Sequence, residues 1–151
     1  MTAEPIIMDE LLDAPVHIVW NALTDSTEMK AWYFDLPGFT PEVGYEFTFS
    51  GGTEEKSYLH LCRVTEVAEQ KILTYSWRYD GYAGNSFVTW ELFGEEDRTR
   101  VKLTHTGLET FPADNPDFDK KNFLQGWTDI ITKSLKQYVE TKAKEEPGTN
   151  P

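Results

Sequence analysis

Apolar residues recur along the chain with two periods, and each change of period marks a new part of the fold. Residues 6–12 are predicted as a first strand, and a short amphipathic helix follows. Its apolar positions have the spacing i, i+3, i+4 and i+7: Val16, Val19, Trp20 and Leu23. The polar run Thr24-Asp25-Ser26 ends this helix because short polar side chains compete for backbone hydrogen bonds. Asp25 and Glu28 have the spacing of a capping box, which predicts a second short helix over about residues 26–32.

From Val43 onward apolar and polar residues alternate, which is typical of strands with one buried face. Turn residues divide this region into five consecutive strands. Their predicted ranges are 43–49, 58–67, 72–78, 87–93 and 99–105. In the last strand Val101, Leu103 and His105 share one face. Consecutive hairpins of this kind form an antiparallel sheet.

The longest predicted helix comes last. Asn115-Pro116-Asp117 supplies a cap, a proline suited to the first helical position and an acidic residue in the first turn. The helix is expected to run to about Lys144, which makes it ~40 Å long at 1.5 Å per residue. Its predicted buried stripe consists of Leu124, Trp127, Ile131, Leu135 and Tyr138. Because every predicted strand is shorter, this helix must cross the whole sheet.

The order of elements predicts an α+β fold with one strand, two short helices, a run of meandering strands and one long helix. The long helix is expected to cover the concave face of a curved antiparallel sheet of about six strands. Because a helix and a sheet curve differently, a hollow is expected between them, with the two short helices at its end. We expect one domain over residues 1–144 and a disordered tail over residues 145–151, which has no apolar residue to bury.

Charge and cysteine content exclude several classes of partner. The chain has 26 acidic and 14 basic residues, a net charge of −12, and no lysine- and arginine-rich run that would neutralise phosphates. Nucleic acid and anionic membrane surfaces are therefore not expected partners. No stretch approaches the ~18 apolar residues of a spanning helix, so membrane insertion is not expected. A single cysteine, Cys62, allows no internal disulfide and agrees with a reducing compartment, so we expect a cytoplasmic protein.

Residues with catalytic or metal-binding chemistry are sparse. The histidines His17, His60 and His105 do not have ligand spacing, and no glycine-rich loop follows a phosphate or dinucleotide pattern. We therefore expect no metal site and no cofactor. His105 is the one candidate catalytic residue, because it ends an apolar strand face and could offer a polar contact inside a pocket. The alternative, a structural histidine paired with a backbone carbonyl near the sheet edge, is favoured because no catalytic partner is visible.

Aromatic residues make up 14% of the chain and are expected to dominate its interior. Core packing explains any single ring, but several rings with polar tips fit the wall of an occupied cavity better. Tyr82, in a glycine-rich loop, is a candidate lid or a simple turn residue, and Gly126 leaves room beside Trp127 on the long helix. The predicted ligand-binding residues are Trp32, Phe34, Tyr75, Trp77, Tyr82, Trp90, His105, Gly126 and Trp127.

An ordered set of residues along nearly the whole chain resembles a known family. It comprises Ala14-Pro15, the run Val19-Trp20-Asn21-Ala22-Leu23-Thr24-Asp25, Trp32, Phe39, Pro41, Gly44, Phe47, Leu73, Tyr75, Trp77, Val101, Leu103, Thr104, His105, Gly107 and Gly126-Trp127. On these residues the chain is similar to the bacterial homologues of the heat-shock-protein-ninety ATPase activator, within the START-like or helix-grip superfamily. The resemblance implies a helix-grip fold with a cavity that in related proteins holds lipids, sterols, polyketides or other apolar molecules.

The resemblance does not imply one activity, because folds of this kind host carriers, cyclases, hydrolases and co-chaperone domains. We favour a non-enzymatic protein that binds a small, largely apolar ligand between the sheet and the C-terminal helix. Two alternatives stay open. One is a stress-response module that engages a chaperone, which rests on the resemblance alone. The other is a cyclase- or hydrolase-type enzyme that uses the same cavity, with His105 or Tyr75 assisting proton transfer.

Overall fold

The computed structural model of the chain describes residues 5–33, 36, 38–52, 57–112, 118 and 120–145. The predictions made for Phe34, for Asn115-Pro116-Asp117 and for residues 146–151 lie outside these residues. The elements occur in the predicted order: β1 (Ile6–Leu12), α1 (Val16–Thr24), α2 (Ser26–Trp32), β2 (Glu46–Gly52), β3 (Ser57–Ala68), β4 (Ile72–Tyr79), β5 (Ser86–Glu95), β6 (Arg98–Thr106), a 3₁₀ turn (Leu108–Thr110), α3 (Lys120–Asp129), a π-helical segment (Ile130–Leu135) and α4 (Lys136–Glu145). The last three form one continuous element, the C-terminal helix.

The strands form a six-stranded antiparallel sheet in the order β1-β6-β5-β4-β3-β2. Strands β2 to β6 each pair with the next strand in sequence, and β1 pairs with β6, so β1 and β2 are the two edge strands. This curved sheet with the long C-terminal helix confirms the predicted α+β, helix-grip fold. Among the described helices, none has both the length and the apolar character needed to cross a bilayer.

The alternation in the strands separates an inner face, which is turned toward the C-terminal helix, from an outer face. In β6 the predicted face is confirmed, since Val101, Leu103 and His105 are buried. The inner side chains of β4 and β5 include four aromatic or polar residues that build the site: Tyr75, Trp77, Ser86 and Trp90. The period of two therefore decides which side chains meet the helix.

The α1–α2 corner places Trp32 at one end of the interior. Asp25 accepts a hydrogen bond from the Thr27 amide at 2.9 Å and caps α2, but its own amide donates to the Asn21 carbonyl at 2.9 Å, so only half of the predicted capping box forms. Glu28 accepts a hydrogen bond from the Tyr138 hydroxyl at 3.0 Å, so it ties α2 to α4. The Trp32 indole donates to the Ala22 carbonyl at 2.8 Å and holds α2 back against α1.

The buried stripe of the C-terminal helix differs from the predicted one. Leu124 is 44% exposed and Tyr138 is half-buried, so the prediction that Leu124 lies in the stripe is wrong. The prediction also omitted Val139, which is fully buried. The observed stripe has a spacing of four residues: Trp127, Ile131, Leu135 and Val139.

The π-helical segment explains how a stripe with this spacing stays on one side. Four residues advance an α-helix about 40° beyond a full turn, so the stripe would drift around the helix. The wider turns of residues 130–135 offset this drift. Just before and within the segment, the Thr128 and Thr132 hydroxyls donate to the carbonyls of Leu124 and Thr128, at 2.7 Å and 2.6 Å.

Candidate functional site

Six aromatic side chains form a closed belt between the sheet and the C-terminal helix. Each one contacts the next, with ring centroids 5.0 Å apart at the closest pair and 6.3 Å at the widest. In order around the belt they are Trp32, Tyr33, Phe49, Trp77, Trp127 and Trp90. These residues come from the end of α2, from β2, β4 and β5, and from α3. We call this set the aromatic belt.

Tyr75 bridges two members of the aromatic belt with its hydroxyl. The Trp90 indole donates to the Tyr75 oxygen at 3.0 Å, and the hydroxyls of Tyr75 and Tyr33 lie 3.0 Å apart. The Tyr75 ring also packs edge-on against Phe47, with centroids 5.3 Å apart. Burial raises the pKa values of both tyrosines well above the usual range, so both hydroxyls keep their protons. The pair is therefore able to donate as well as accept hydrogen bonds.

A second chain of hydrogen bonds fixes the state of His105. The Trp127 indole, which can only donate, is 3.0 Å from His105 Nδ1, so Nδ1 carries the lone pair and the proton is on Nε2. Nε2 then donates to Ser86 Oγ at 2.8 Å, and the Ser86 hydroxyl donates to the Trp77 carbonyl at 2.7 Å. This series of hydrogen bonds links the C-terminal helix to β6, β5 and β4, and each group donates to the next.

This geometry gives His105 a structural role. The side chain has no exposed surface, and burial lowers its pKa to about 3, so it is neutral at ordinary pH. Both ring nitrogens are already engaged, which leaves no nitrogen for proton exchange with a substrate. Its partners are the side chains of Ser86 and Trp127, so the predicted pairing with a backbone carbonyl is wrong. The reason is that β6 lies inside the sheet order, where the carbonyls are used by neighbouring strands.

The structure brings together most, but not all, of the predicted site residues. Trp32, Tyr75, Trp77, Trp90, His105 and Trp127 converge on the aromatic belt, whereas Phe34 lies outside the described residues. Tyr82 packs away from the belt, in a second cluster of aromatic rings. That cluster contains Tyr58, Tyr79, Tyr82, Phe111 and Phe118. It touches the belt where the Trp77 indole donates to the Tyr79 hydroxyl at 2.8 Å.

Gly126 lies next to Trp127 on the C-terminal helix and is half-buried. Apart from the adjacent residues and the backbone of its own helix, a Cβ atom at this position would have no atom of the described residues within 4 Å. The glycine is therefore not required by close packing within the described part of the chain.

Three residues of the site were not predicted from the sequence. Phe49 follows Phe47 by two residues in β2 and shares its buried face, and this period-two pattern was a usable signal. Tyr33 directly follows Trp32, but its position depends on how the chain leaves α2. Ser86 carries no local signal, because its role depends on the pairing of β5 with β4 and β6.

Among the described residues, the site consists of apolar ring surface and of polar side-chain atoms that are hydrogen-bonded to one another. Among the described residues, no buried side-chain nitrogen or oxygen lacks a hydrogen-bond partner. Nor do three His, Cys, Asp or Glu side chains of these residues come together as metal ligands. Cys62 is buried, and burial raises the pKa of its thiol, which disfavours the reactive thiolate. The arrangement suits the recognition of apolar surface with a few oriented polar contacts.

Comparison with solved structures shows the same fold in proteins of low sequence identity. DynU16, a protein of the dynemicin biosynthetic locus, is 21% identical with a TM-score of 0.75, over 93% of this chain and 49% of that protein. This chain thus spans about half the length of DynU16. Protein BH1534 of Bacillus halodurans is 25% identical with a TM-score of 0.71, over 93% of this chain and 100% of that one. The Aha1 dimer of Colwellia psychrerythraea is 21% identical with a TM-score of 0.68, over 91% and 97%.

The sequence itself also matches a known family. No functionally curated protein matches it significantly. A family model, described as Activator of Hsp90 ATPase homolog 1-like protein, matches residues 13–140. This match covers the first helices, the strands of the sheet from β2 to β6 and most of the C-terminal helix, and it confirms the resemblance found in the sequence. The chain therefore belongs to the Activator of Hsp90 ATPase homolog 1-like protein family.

Proposed function

We propose that this protein binds a small, largely apolar ligand against the aromatic belt, between the sheet and the C-terminal helix. The observation that carries the proposal is the closure of the belt, in which six rings from five segments of the chain converge on one place. A ligand there exchanges ring–ring contacts for ring–ligand contacts of similar dispersion energy. The acidic chain with its single cysteine suits the cytoplasm, where we place this activity.

Tyr33 is the proposed point of entry. It is half-buried, whereas the other five members of the aromatic belt are buried. It follows the last residue of α2, with φ −123° and ψ −118°, outside the helical region. Because Tyr33 is the one half-buried ring of the belt and lies just after the last residue of α2, we expect its ring to swing outward at lower cost than the five buried rings. That movement exposes the apolar faces of Trp32 and Phe49.

Displacement of Tyr33 also makes a polar group available. The Tyr75 hydroxyl loses its partner at 3.0 Å and keeps the hydrogen bond from Trp90. Because that bond occupies only its oxygen, the Tyr75 O–H is free to donate to an acceptor on the ligand. We therefore expect a ligand with an apolar body and one carbonyl, hydroxyl or similar acceptor.

The experiment is a binding screen with a hydroxyl deletion. Native mass spectrometry of the protein purified from its own cells should show adducts. Quenching of tryptophan fluorescence by a panel of fatty acids, sterols and aromatic metabolites should be saturable. Tyr75→Phe should weaken the binding of ligands with an acceptor group about fivefold, because one neutral hydrogen bond contributes about 1 kcal/mol. Ligands without such a group should be unaffected.

The matched control removes a hydroxyl elsewhere. Tyr138→Phe deletes the hydroxyl that donates to Glu28, outside the aromatic belt, and should leave binding unchanged. The absence of adducts together with the absence of saturable quenching across the panel would contradict the proposal. Equal losses in the two variants would contradict the role of Tyr75.

Family membership favours a second candidate function, the engagement of a chaperone ATPase. The family model is named for an Hsp90 ATPase activator, and one structural relative is an Aha1 dimer. The test measures ATP hydrolysis by the organism's own chaperone with saturating amounts of this protein. A change in rate that persists in the Tyr75→Phe variant would indicate a surface interaction independent of the aromatic belt. An unchanged rate would rule against this candidate.

A further inference from the structure

The outer face of the sheet carries two groups of arginines with different surroundings. In the half formed by β1, β6 and β5, arginines are paired with acids. Arg100 lies 3.3 Å from both Asp9 and Glu95, and Arg98 lies 3.8 Å from Asp13. These side chains are neutralised by neighbours on the same face.

The half formed by β2, β3 and β4 contains two arginines without such partners. Arg63 of β3 is opposite Ser76 of β4, so Arg78, two residues further along β4, is its diagonal neighbour on the same face. Within the part of the chain that the structure describes, neither arginine forms an ion pair with a carboxylate. This holds even for Glu46, which is opposite Arg63 in the β2–β3 register.

These arginines line a depression of about 350 Å³ on the outer face. The volume lies at the lower end of the range for small-molecule sites. Its lining includes Glu46, Thr48, Leu61, Arg63, Arg78 and Asn85. The Ser76 hydroxyl is bound to the backbone of Arg63 and is not available to a ligand. Thr48 and Asn85 add neutral polar groups beside the two guanidinium groups.

We propose that this depression binds a small organic anion, whose carboxylate or phosphate group lies between Arg63 and Arg78. Guanidinium groups suit this role because their fork of N–H donors matches both head groups. Leu61 lines the depression. Phe87 is 40% exposed and lies opposite Ser76, a lining residue, so it borders the depression and extends the apolar surface for the body of the ligand. Glu46 at the rim opposes the anion and limits its affinity. Because the whole chain has a net charge of −12, unspecific attraction of anions does not account for binding here.

The test is a titration followed by the backbone amide shifts in NMR spectra at constant ionic strength. The probes are phenyl phosphate, benzoate and inorganic phosphate. We expect saturable shifts centred on residues 46–48, 61–63, 76–78 and 85 with at least one of the two aromatic anions. That anion should bind at least several times more tightly than inorganic phosphate, because only it contacts Leu61 and Phe87. Comparison of phenyl phosphate with benzoate identifies the preferred head group.

Substitutions then distinguish binding at this depression from an effect of the net charge of the protein on anion affinity. Arg63→Gln and Arg78→Gln should each weaken binding at least tenfold. Glu46→Gln should tighten it several-fold. Arg100→Gln changes the net charge by the same amount as either arginine variant but removes an arginine that is already paired, so it should change affinity less than twofold. Circular dichroism of each variant establishes that the fold is intact.

Clear outcomes would overturn the proposal. These are shifts that do not saturate, shifts scattered over the surface, and equal losses in Arg63→Gln, Arg78→Gln and Arg100→Gln. Inorganic phosphate binding as tightly as the aromatic anions would overturn the role of Leu61 and Phe87. The site lies on the face of the sheet opposite the aromatic belt, so Tyr75→Phe should leave phenyl phosphate and benzoate titrations unchanged. The test is therefore independent of the proposed function.

Discussion

The inner and outer faces of the sheet differ in whether their polar groups have protein partners. On the inner face the indoles of Trp77, Trp90 and Trp127 each donate to a defined side-chain partner. On the outer face Arg63 and Arg78 have no carboxylate partner among the described residues, although acidic residues outnumber basic ones in the chain. On the inner face these indole N–H groups are therefore all hydrogen-bonded, whereas the outer face presents two arginine charges that no described carboxylate neutralises.

This difference separates contacts that folding requires from charged groups that folding does not require. A buried polar group without a partner destabilises the fold, so the hydrogen bonds of the inner face are required for folding whatever the protein does. An exposed arginine is satisfied by water, so folding does not dictate whether it is paired. The proposed binding of an apolar ligand on the inner face therefore depends on the apolar surface of the aromatic belt. The proposed binding of an anion on the outer face depends on the charge of Arg63 and Arg78.

Removal of a belt member that also anchors His105 should have the largest effect. Trp127→Ala should lower the free energy of unfolding by about 3–5 kcal/mol, because it leaves a cavity and an unpaired His105 Nδ1. Urea denaturation measures the change. The control is Leu124→Ala, one turn earlier on the same helix and 44% exposed, which should cost less than about 0.5 kcal/mol. Similar losses for both variants would contradict the division between the belt and the exposed side of the helix.

Acid should destabilise the inner face through its histidines. Burial lowers the pKa of His105 to about 3 and that of His60 to about 4, both below the unfolded value near 6.5. The unfolded chain therefore takes up protons first as the pH falls below 6.5. Each histidine should reduce the free energy of unfolding by about 1.4 kcal/mol per pH unit, or about 2 kcal/mol by pH 5.

Stability curves at several pH values between 7 and 5 measure this slope. His105→Gln should lower the slope by about 1.4 kcal/mol per pH unit, because one fewer proton is taken up on unfolding. This holds even if the substitution lowers the free energy of unfolding at every pH. A variant with the same slope as the unmodified protein would show that His105 is not held neutral by its surroundings.

Gly126→Ala should stabilise the free protein. Alanine is favoured over glycine in a helix by about 0.5–1 kcal/mol, and apart from the adjacent residues and the backbone of its own helix the added methyl group meets no described atom within 4 Å. If a ligand lies beside the aromatic belt at this point, the same methyl group should weaken its binding. Higher stability with lower affinity would sharpen the assignment of the site. Lower stability would show that the space beside Gly126 is needed for packing.

The smallest effect is expected on the outer face. Arg100→Gln removes ion pairs with two half-exposed acids and should cost at most about 0.5 kcal/mol, with no cost at high salt. Arg63→Gln should have no measurable effect on stability, because it breaks no ion pair. Thermal denaturation at low and high salt distinguishes the two. A larger loss for Arg63→Gln would mean that its guanidinium group has a structural role.

Local patterns predicted the framework of the fold and part of the site. The helices, the order of the strands and the inward face of β6 follow from periods of 3.6 and 2, which depend only on neighbouring residues. The same patterns failed at Leu124, which lies in α-helical turns before the π-helical segment; there Phe123, four residues before Trp127, is half-buried and Leu124 is exposed. The spacing of four from Trp127 to Val139 was present in the sequence and would have indicated a locally wider turn.

What the sequence determined by itself was the set of elements and the side chains that each presents to the interior. Only the tertiary structure decided which of these side chains meet: Tyr33 and Phe49 complete the aromatic belt, Ser86 and Trp127 flank His105, and Arg63 and Arg78 line one depression without a carboxylate partner among the described residues. The physical reason is one of range. Periodicity acts over a few residues of chain, whereas these contacts depend on strand register and on the path of the helix across the sheet, which the packing of the whole chain sets.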